Sequence, residues 1–363
     1  MFVSKFGIAL RDMVESLGPK GTKVTISEML KKKEIKPGDF TSLQEIWSAC
    51  ERDSMGHVRS VTEAVSSDLF PVITGEIISA KIIEGYKSVA MIGDQITTVV
   101  PSKLKTATIA GFTASVGPDV VLEGAAYNSS QIEEKWVQIS HTKYGRIIDV
   151  TEEAIHFDQT GQLLLRAFRI GEKAAQYREK LIVEGVQDIN SNVFNPAGVA
   201  TAFYRTTASG DRKINSRAST PFGEEGIKEA MKLFHNMVDE NGDYVNILPA
   251  NLVGLFPFDL WVRVNQMIQS TLVPEGVSNA VNIWKGLFKP LTSPYITAQN
   301  TSTWYLGDFR QDFWWSEIWP LQTFTAKPGA EAEFRSDIKS QHKVRFYGEI
   351  GAVDDKHALK LTA

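Results

Sequence analysis

Seven aromatic residues, Trp304, Tyr305, Phe309, Phe313, Trp314, Trp315 and Trp319, crowd into one short stretch, with the carboxylates Asp308, Asp312 and Glu317 among them. Aromatic faces beside two carboxylates are the parts of a sugar-binding cleft that hydrolyses glycosidic bonds. Such a site needs carboxylates brought together from separate elements, which sequence alone does not display. The same residues read more simply as alternating strand positions that anchor a core and an interface, where Trp and Tyr are enriched. That plainer reading is the one preferred.

The other reactive side chains are scattered. The six histidines stand at 57, 141, 156, 235, 342 and 357, with no pair at the i, i+4 spacing of a metal-binding helix and no His-Glu-x-x-His. His235 falls on an expected helix and reads as a surface or hydrogen-bonded histidine. There is no Walker phosphate loop, no Gly-x-Gly-x-x-Gly and no nucleophile elbow. Ser336 and Lys339 match the Ser-x-x-Lys of penicillin-binding enzymes, but the companion motifs are missing and the match reads as chance. Cys50 is the only cysteine, so neither an intrachain disulfide nor a cysteine-rich zinc site can form. It shares an apolar stripe with Leu43, Ile46 and Trp47, behind a capping box at Ser42 and Glu45, and reads as a packed thiol. No catalytic, cofactor-binding or metal-binding residue is nominated.

The elements that would position these residues come in a distinctive order. The first 70 residues suggest short helices, with Phe6, Leu10, Met13, Val14 and Leu17 at helical spacing before Gly18-Pro19. Lys31-Lys32-Lys33 looks basic, yet residues 1–70 hold ten Lys/Arg and ten Asp/Glu, so this is a solvated helix end on a neutral arm. Isolated helices this short are marginal in water and must pack on something.

Residues 72–87 read as a helix. Strands are expected at 96–100, 107–112, 120–122, 136–140 and 146–150, with turns at Gly117-Pro118-Asp119 and Asn128-Ser129-Ser130. The weak alternation suggests a long two-stranded excursion that needs a partner surface, since a lone hairpin is marginal. The clearest helix covers 158–188, capped by Asp158 or Thr160, with a stripe of Leu164, Phe168, Ala175 and Ile182. Glu179 is among the charges placed on its polar side.

Beyond it, Thr220-Pro221 reads as a helix start, leading to an apolar face of Ile227, Ala230, Met231, Phe234, Met237 and Val238 and a stop at Asn241-Gly242. A strand is expected at 244–248, a helix at 258–271, and strands at 295–297, 303–306 and 313–325. A hairpin or long strand pair is expected over 334–361.

With 363 residues, 43% hydrophobic and 23% charged, the chain has an ordinary globular balance, long enough for two cores or one elongated one. The net charge of −4 disfavours tight binding to nucleic acid but leaves room for loose contact with nucleic acid held nearby. No signal peptide and no membrane-spanning run is read, and the single cysteine fits a reducing compartment.

The order of parts resembles the major capsid proteins of tailed bacteriophages, the Hong Kong 97-type family. LFPVITGEIISAKIIEGY, IGDQITTVVP and IIDVTEEAIHFD resemble its helix and extended-loop region, and FDQTGQLLLRAFRIGEKAAQYREKLIV its spine helix. YVNILPANLVGLF and NIWKGLFKPLTSPYI are similar to its axial domain, and WYLGDFRQDFWW with EAEFRSDIKSQHKVRFYGEIGAVDDKHALKL to its closing pattern. The resemblance covers about residues 69–363.

It implies an α+β fold with an N-terminal helical arm (1–70), a helix and extended loop with flanking strands (71–157), and the spine helix of a peripheral domain (158–195). An axial domain (196–318) and returning strands of the peripheral and axial domains (319–363) would follow. It also implies a subunit with no catalysis and no cofactor. Such subunits form hexamers and pentamers of an icosahedral shell, assembled in the host bacterial cytoplasm. Scaffold, portal or decoration proteins are further partners, contact with packaged double-stranded DNA is loose, and no membrane is involved. Some relatives crosslink a loop lysine to an asparagine; Lys103, Lys105, Lys135 and Lys143 lie in that region, but no motif selects one. Hinges between hairpin and spine helix would fall at Gly145, Gly161 or Gly171. An encapsulin-like nanocompartment shell keeps the fold with another use, and a carbohydrate-active enzyme using the 304–319 aromatics remains the reading from a different class.

Overall fold

The structure, a computed structural model, describes residues 69–112, 134–151, 153–154, 161–208, 213–239, 242–274, 281–326 and 335–363, with Thr25 and Glu28 near the N-terminus. The expectations for Ser42–Cys50, the lysine tract, the strand at 120–122, both flanking turns, the cap at Asp158 or Thr160, and His57 and His156 lie outside the described residues.

In chain order the elements are α1 (Leu69–Ser88), α2 (Gly93–Ile96), β1 (Thr98–Pro101), β2 (Thr106–Phe112), β3 (Glu134–Ser140), β4 (Thr142–Thr151) and α3 (Gln162–Val186). There follow β5 (Ser216–Arg217), α4 (Glu224–His235), β6 (Val253–Phe256), α5 (Phe258–Gln269), β7 (Lys289–Thr292) and α6 (Pro294–Thr297). The last are β8 (Trp304–Gly307), α7 (Phe309–Asp312), β9 (Phe313–Ala326), β10 (Ile338–Ala352) and β11 (Ala358–Leu361). They build a four-stranded sheet in the order β1-β9-β10-β4, a five-stranded sheet in the order β5-β11-β8-β6-β7, and the two-stranded sheet β2-β3.

The chain divides into two compact units. One is drawn from Met1–Ala90, Lys143–Tyr177 and Trp319–Tyr347, the other from Met91–Thr142, Arg178–Ile318 and Gly348–Ala363. In the first, α1 crosses the N-terminal part of α3 at backbone distance. A Cβ on Gly85 would stand 2.0 Å from the Phe168 carbonyl oxygen, and one on Gly171 2.0 Å from that of Ile82. Gly171, a hinge candidate in the sequence, is therefore required for close approach. Tyr144 of β4 stacks on Phe346 of β10 (5.1 Å) and meets Tyr177 of α3 edge-on (5.4 Å), fixing which face of that sheet turns toward the helix.

The second unit has its main core where α4 and α5 cover the five-stranded sheet. Phe222, Ile227, Phe234, Phe256, Val264, Met267, Trp304, Leu306, Leu359 and Leu361 are all buried together. The ladder is mixed: β6 runs parallel to β7 and antiparallel to β8, while β11 runs antiparallel to β8 and parallel to β5.

Four local expectations fail, each for a physical reason. Residues 244–248 are no strand: Tyr244 and Leu248 are exposed, one bridge joins Val238 to Tyr244, and Pro249 opens a 3-10 turn before β6. The ladder partners are taken instead by the more apolar Val-Gly-Leu-Phe of β6. Residues 294–297 form a helical turn, because Ser293 accepts a hydrogen bond from the Tyr295 amide and Pro294 supplies the first-turn φ.

Thr220 does not cap α4. Its amide donates to the Thr362 carbonyl and its own carbonyl accepts from Trp304 Nε1, so the helix starts later, behind Gly223. Finally, β10 and β11 are not a hairpin: they belong to different sheets.

Candidate functional site

Most of the aromatic stretch singled out in the sequence is core. Trp304, Tyr305, Phe309, Phe313 and Trp315 are buried. Trp304 meets Phe222 edge-on (5.3 Å) and lies parallel to Phe256 (5.9 Å), while Phe313 packs on Phe203 (4.6 Å). Trp319 falls in the other compact unit, where Arg345 stacks on it at 4.3 Å.

Their carboxylates are likewise engaged. Glu317 Oε1 accepts from Trp315 Nε1 at 3.4 Å, and Asp308 Oδ2 accepts from Gln311 Nε2 at 3.0 Å.

Asp312 is the most constrained of them. It is wholly buried at the end of α7, and it pins the turn between β10 and β11. Its Oδ2 accepts the His357 amide (3.0 Å), its Oδ1 meets His357 Nδ1 (2.8 Å), and its carbonyl accepts the Val353 amide (2.7 Å). Burial pushes the carboxyl up to about 7, against the opposing pull of His357. Burial alone would depress His357, but the hydrogen bond and charge of Asp312, with Asp354 behind them, raise it.

Each of Asp312, Asp354 and His357 presents an atom within 4.8 Å of the others, a spacing a metal ion could bridge. In the structure His357 Nδ1 is taken up by Asp312 Oδ1, and Lys356 Nζ takes Asp354 Oδ1 at 3.0 Å. Two residues upstream of His357, the turn gains a second anchor where Arg205 pairs with Asp355 at 2.7 Å.

The remaining described histidines hold backbone and hydroxyl partners. His141 Nδ1 meets the Lys105 carbonyl (3.0 Å) and Nε2 the Ser316 hydroxyl (2.7 Å). His342 lies between Thr325 and Ser340, and burial lowers it to about 4. His235 is exposed and stacks on Tyr244. Ser336 is exposed just before β10, in which Lys339 stands.

One site was misread from sequence. Glu179, assigned to the polar side of α3, is buried and caps α2, accepting the amides of Ile92 (3.0 Å) and Gly93 (2.9 Å). Burial raises its pKa, and those two amides oppose the rise. Its neighbour Arg178 is also buried, paired with Asp94 at 2.9 Å and stacked over Trp315. The only sequence clue was the adjacency of opposite charges at the junction of two apolar turns.

What remains open is backbone and apolar surface. β2 and β3 pair antiparallel over seven residues, from Thr106 with Ser140 to Phe112 with Glu134. The face of β3 carrying Val137 and Ile139 is buried, and its outer edge is held by residues 195–197. The expectation of a hairpin wholly dependent on a partner is corrected there: its base rests on its own chain. β2 differs, since among the described residues it pairs with β3 alone, leaving an edge. Trp136 is 39% exposed, and Phe258 and Val262, one turn apart on α5, are 67% and 65% exposed.

Against known proteins, the model of the phage capsid protein family matches residues 134–361, well over half of the chain. The chain belongs to that family. No curated protein matches it in sequence. Among solved structures it is similar to the capsid of the native GTA particle, at 13% identity and a TM-score of 0.53, over 76% of this chain and 91% of that one. The capsid of the empty GTA particle gives 12% identity and 0.50 over 74% and 88%, and that of cyanophage P-SCSP1u gives 11% and 0.51 over 76% and 88%. At such identity the likeness speaks for the fold: the Hong Kong 97-type α+β capsid fold expected from sequence is the fold of this phage capsid protein. As a capsid protein it is a structural component of the virion shell. Among the described residues no helix is long and apolar enough to cross a membrane.

Proposed function

We propose that this capsid protein is the major head subunit, closing into pentamers and hexamers that build an icosahedral shell around double-stranded DNA, with no catalytic step of its own. The observation that carries the reading is the edge of β2 that no other strand pairs among the described residues, on a two-stranded excursion. An edge strand presents a row of backbone donors and acceptors that another chain can satisfy. Copies related by a rotation that closes satisfy one another in a ring. The outward Phe258 and Val262 of α5 add apolar surface that a neighbour would cover.

In this reading residues 1–70 act as the arm, 71–157 as helix and extended loop, and 158–195 as the spine helix of the peripheral domain. Residues 196–318 are the axial domain and 319–363 its returning strands with those of the peripheral domain. Assembly takes place in the host cytoplasm, with scaffold, portal or decoration proteins as further partners. Negative-stain microscopy of the purified full chain tests the reading: rings or closed particles are expected, and a strictly monomeric protein at high concentration would overturn it.

A further inference from the structure

The face of the β4-β10-β9 sheet opposite the Tyr144–Phe346–Tyr177 stack carries an ordered set of cations. A Cβ on Gly145 would lie 3.1 Å from Arg345 Cβ, so these two positions share that face. Gln341 Nε2 donates to Asp149 Oδ1 at 2.8 Å on the same strand pair. These two contacts set β4 and β10 antiparallel. The two-residue period then puts Lys143, Gly145, Ile147 and Asp149 of β4 on one face with Gln341, Lys343, Arg345 and Tyr347 of β10. Lys343, Arg345 and Lys143 follow one another at steps of about 7 Å along this ladder.

The cations are held up by rings and not by carboxylates. The Arg345 guanidinium lies 4.3 Å from the Trp319 ring and 4.5 Å from that of Phe324, and its Nε and Nη2 both donate to Gln322 Oε1. Lys343 Nζ lies 5.1 Å from the Phe324 ring. Lys143 and Lys343 are exposed, as are Phe324 (42%) and Ile147 (57%). Among the described residues none of the three cations has a carboxylate partner. Of the acids on this face, Asp149 at one end of the file is taken by Gln341, and Glu349 follows Tyr347 beyond its other end.

We propose that this sheet face is a contact surface for the phosphate backbone of nucleic acid, made through Lys143, Lys343 and Arg345. The inference rests on the reading of the chain as a shell subunit that encloses DNA, and it names the side chains that touch it. A regular file of like charges suits a regularly charged linear polyanion. The chain carries −4 overall, so this file of cations is a local reversal of sign on an acidic body. The aromatic faces are occupied by the cations, which leaves charge to offer and no ring for a base to stack on, so contact should be independent of sequence. Three phosphate contacts per subunit are weak singly, which suits a container whose contents must leave.

The test uses the full chain, unassembled at low concentration, with two short fluorescent duplexes of unrelated sequence and with polyglutamate as a second probe. Both duplexes should bind alike, with a log–log salt slope of about −2.7 for three cations. Lys143→Glu with Lys343→Glu, both exposed side chains, should weaken duplex binding about tenfold or more at low salt with the melting temperature unchanged. Lys143→Gln with Lys343→Gln, which removes charge without reversing it, should cut the slope to about −0.9. Equal binding by wild type and variants would overturn the proposal, as would tight binding of polyglutamate with none of duplex, the signature of an acidic protein partner. Particle formation, scored by microscopy on the same samples, reports on the shell reading separately: shells without duplex binding refute only this surface.

Discussion

Asp312 shows how little of a residue's role follows from its type. A carboxylate beside tryptophans invites a catalytic reading, yet this one is sealed away and spends its acceptors on the turn that carries His357. Both groups have pKa values raised by folding, so the native state binds more protons than the unfolded chain. The contribution of Asp312 is complete below its unfolded value of 3.8 and is lost as pH rises to about 7. That of His357 is complete below 6.5 and is lost as pH climbs through its raised value. Thermal melts of the wild type should therefore fall in midpoint as pH rises from mildly acid to mildly alkaline. Asp312→Asn should flatten that fall while lowering stability at every pH. An unchanged slope in the variant would remove Asp312 from this role. His342 acts in the opposite sense: its lowered pKa gives stability present above 6.5 that is lost as pH falls toward about 4, so it offsets Asp312 between about 4 and 6.5 and the fall in melting midpoint is expected above 6.5.

The elements were legible where burial follows a simple period and obscure where it does not. α3 announces itself through Leu164, Ala175 and Ile182, all buried, and β2 and β3 through their β-branched content and separation by turn residues. The strand at 244–248 misled because its local pattern is good but no ladder partner awaits it. The turn at 294–297 misled because a proline and a serine side chain outvoted the propensities of Tyr295 and Ile296. Which strands join which sheet, as with β10 and β11, depends on long-range pairing that no window of sequence contains. The cap that Glu179 places on α2 is of the same kind, joining residues 86 positions apart. The crossing of α1 and α3 was hidden for another reason: two glycines signal freedom in sequence, whereas here they signal contact. Gly171→Ala would place a methyl 2.0 Å from the Ile82 carbonyl oxygen, which backbone cannot yield cheaply. A loss of about 2 kcal/mol is expected from such overpacking, read as a shift of the urea midpoint with an unchanged m-value. A neutral Gly171→Ala would mean the two helices can part without cost.

At the scale of the whole molecule the family was legible in the order of parts, and no single residue or motif carried it. Among the described residues the histidines and the carboxylates of the aromatic stretch hold one another and their neighbours, while β2 presents a strand edge at which association can take place. The arm supplies a further test. Its 70 residues carry balanced charge and short apolar stripes, so removing residues 1–60 should cost assembly more than folding. The truncated chain should melt within a few degrees of the full one and yield no closed particles in negative stain. Truncated protein that assembles as well as the full chain would show that the arm is dispensable.

The free side of β2 also sets when such a molecule acts. In dilute solution water satisfies those amides and carbonyls of Thr106–Phe112 that point away from β3, and the chain persists alone. As subunits accumulate, exchange of those water bonds for bonds to a neighbour becomes favourable by mass action, and each subunit added leaves another such margin exposed until the ring shuts. Growth that begins late, past a threshold of supply, and then runs to completion is the behaviour expected of an object whose last addition removes the very feature that recruited it.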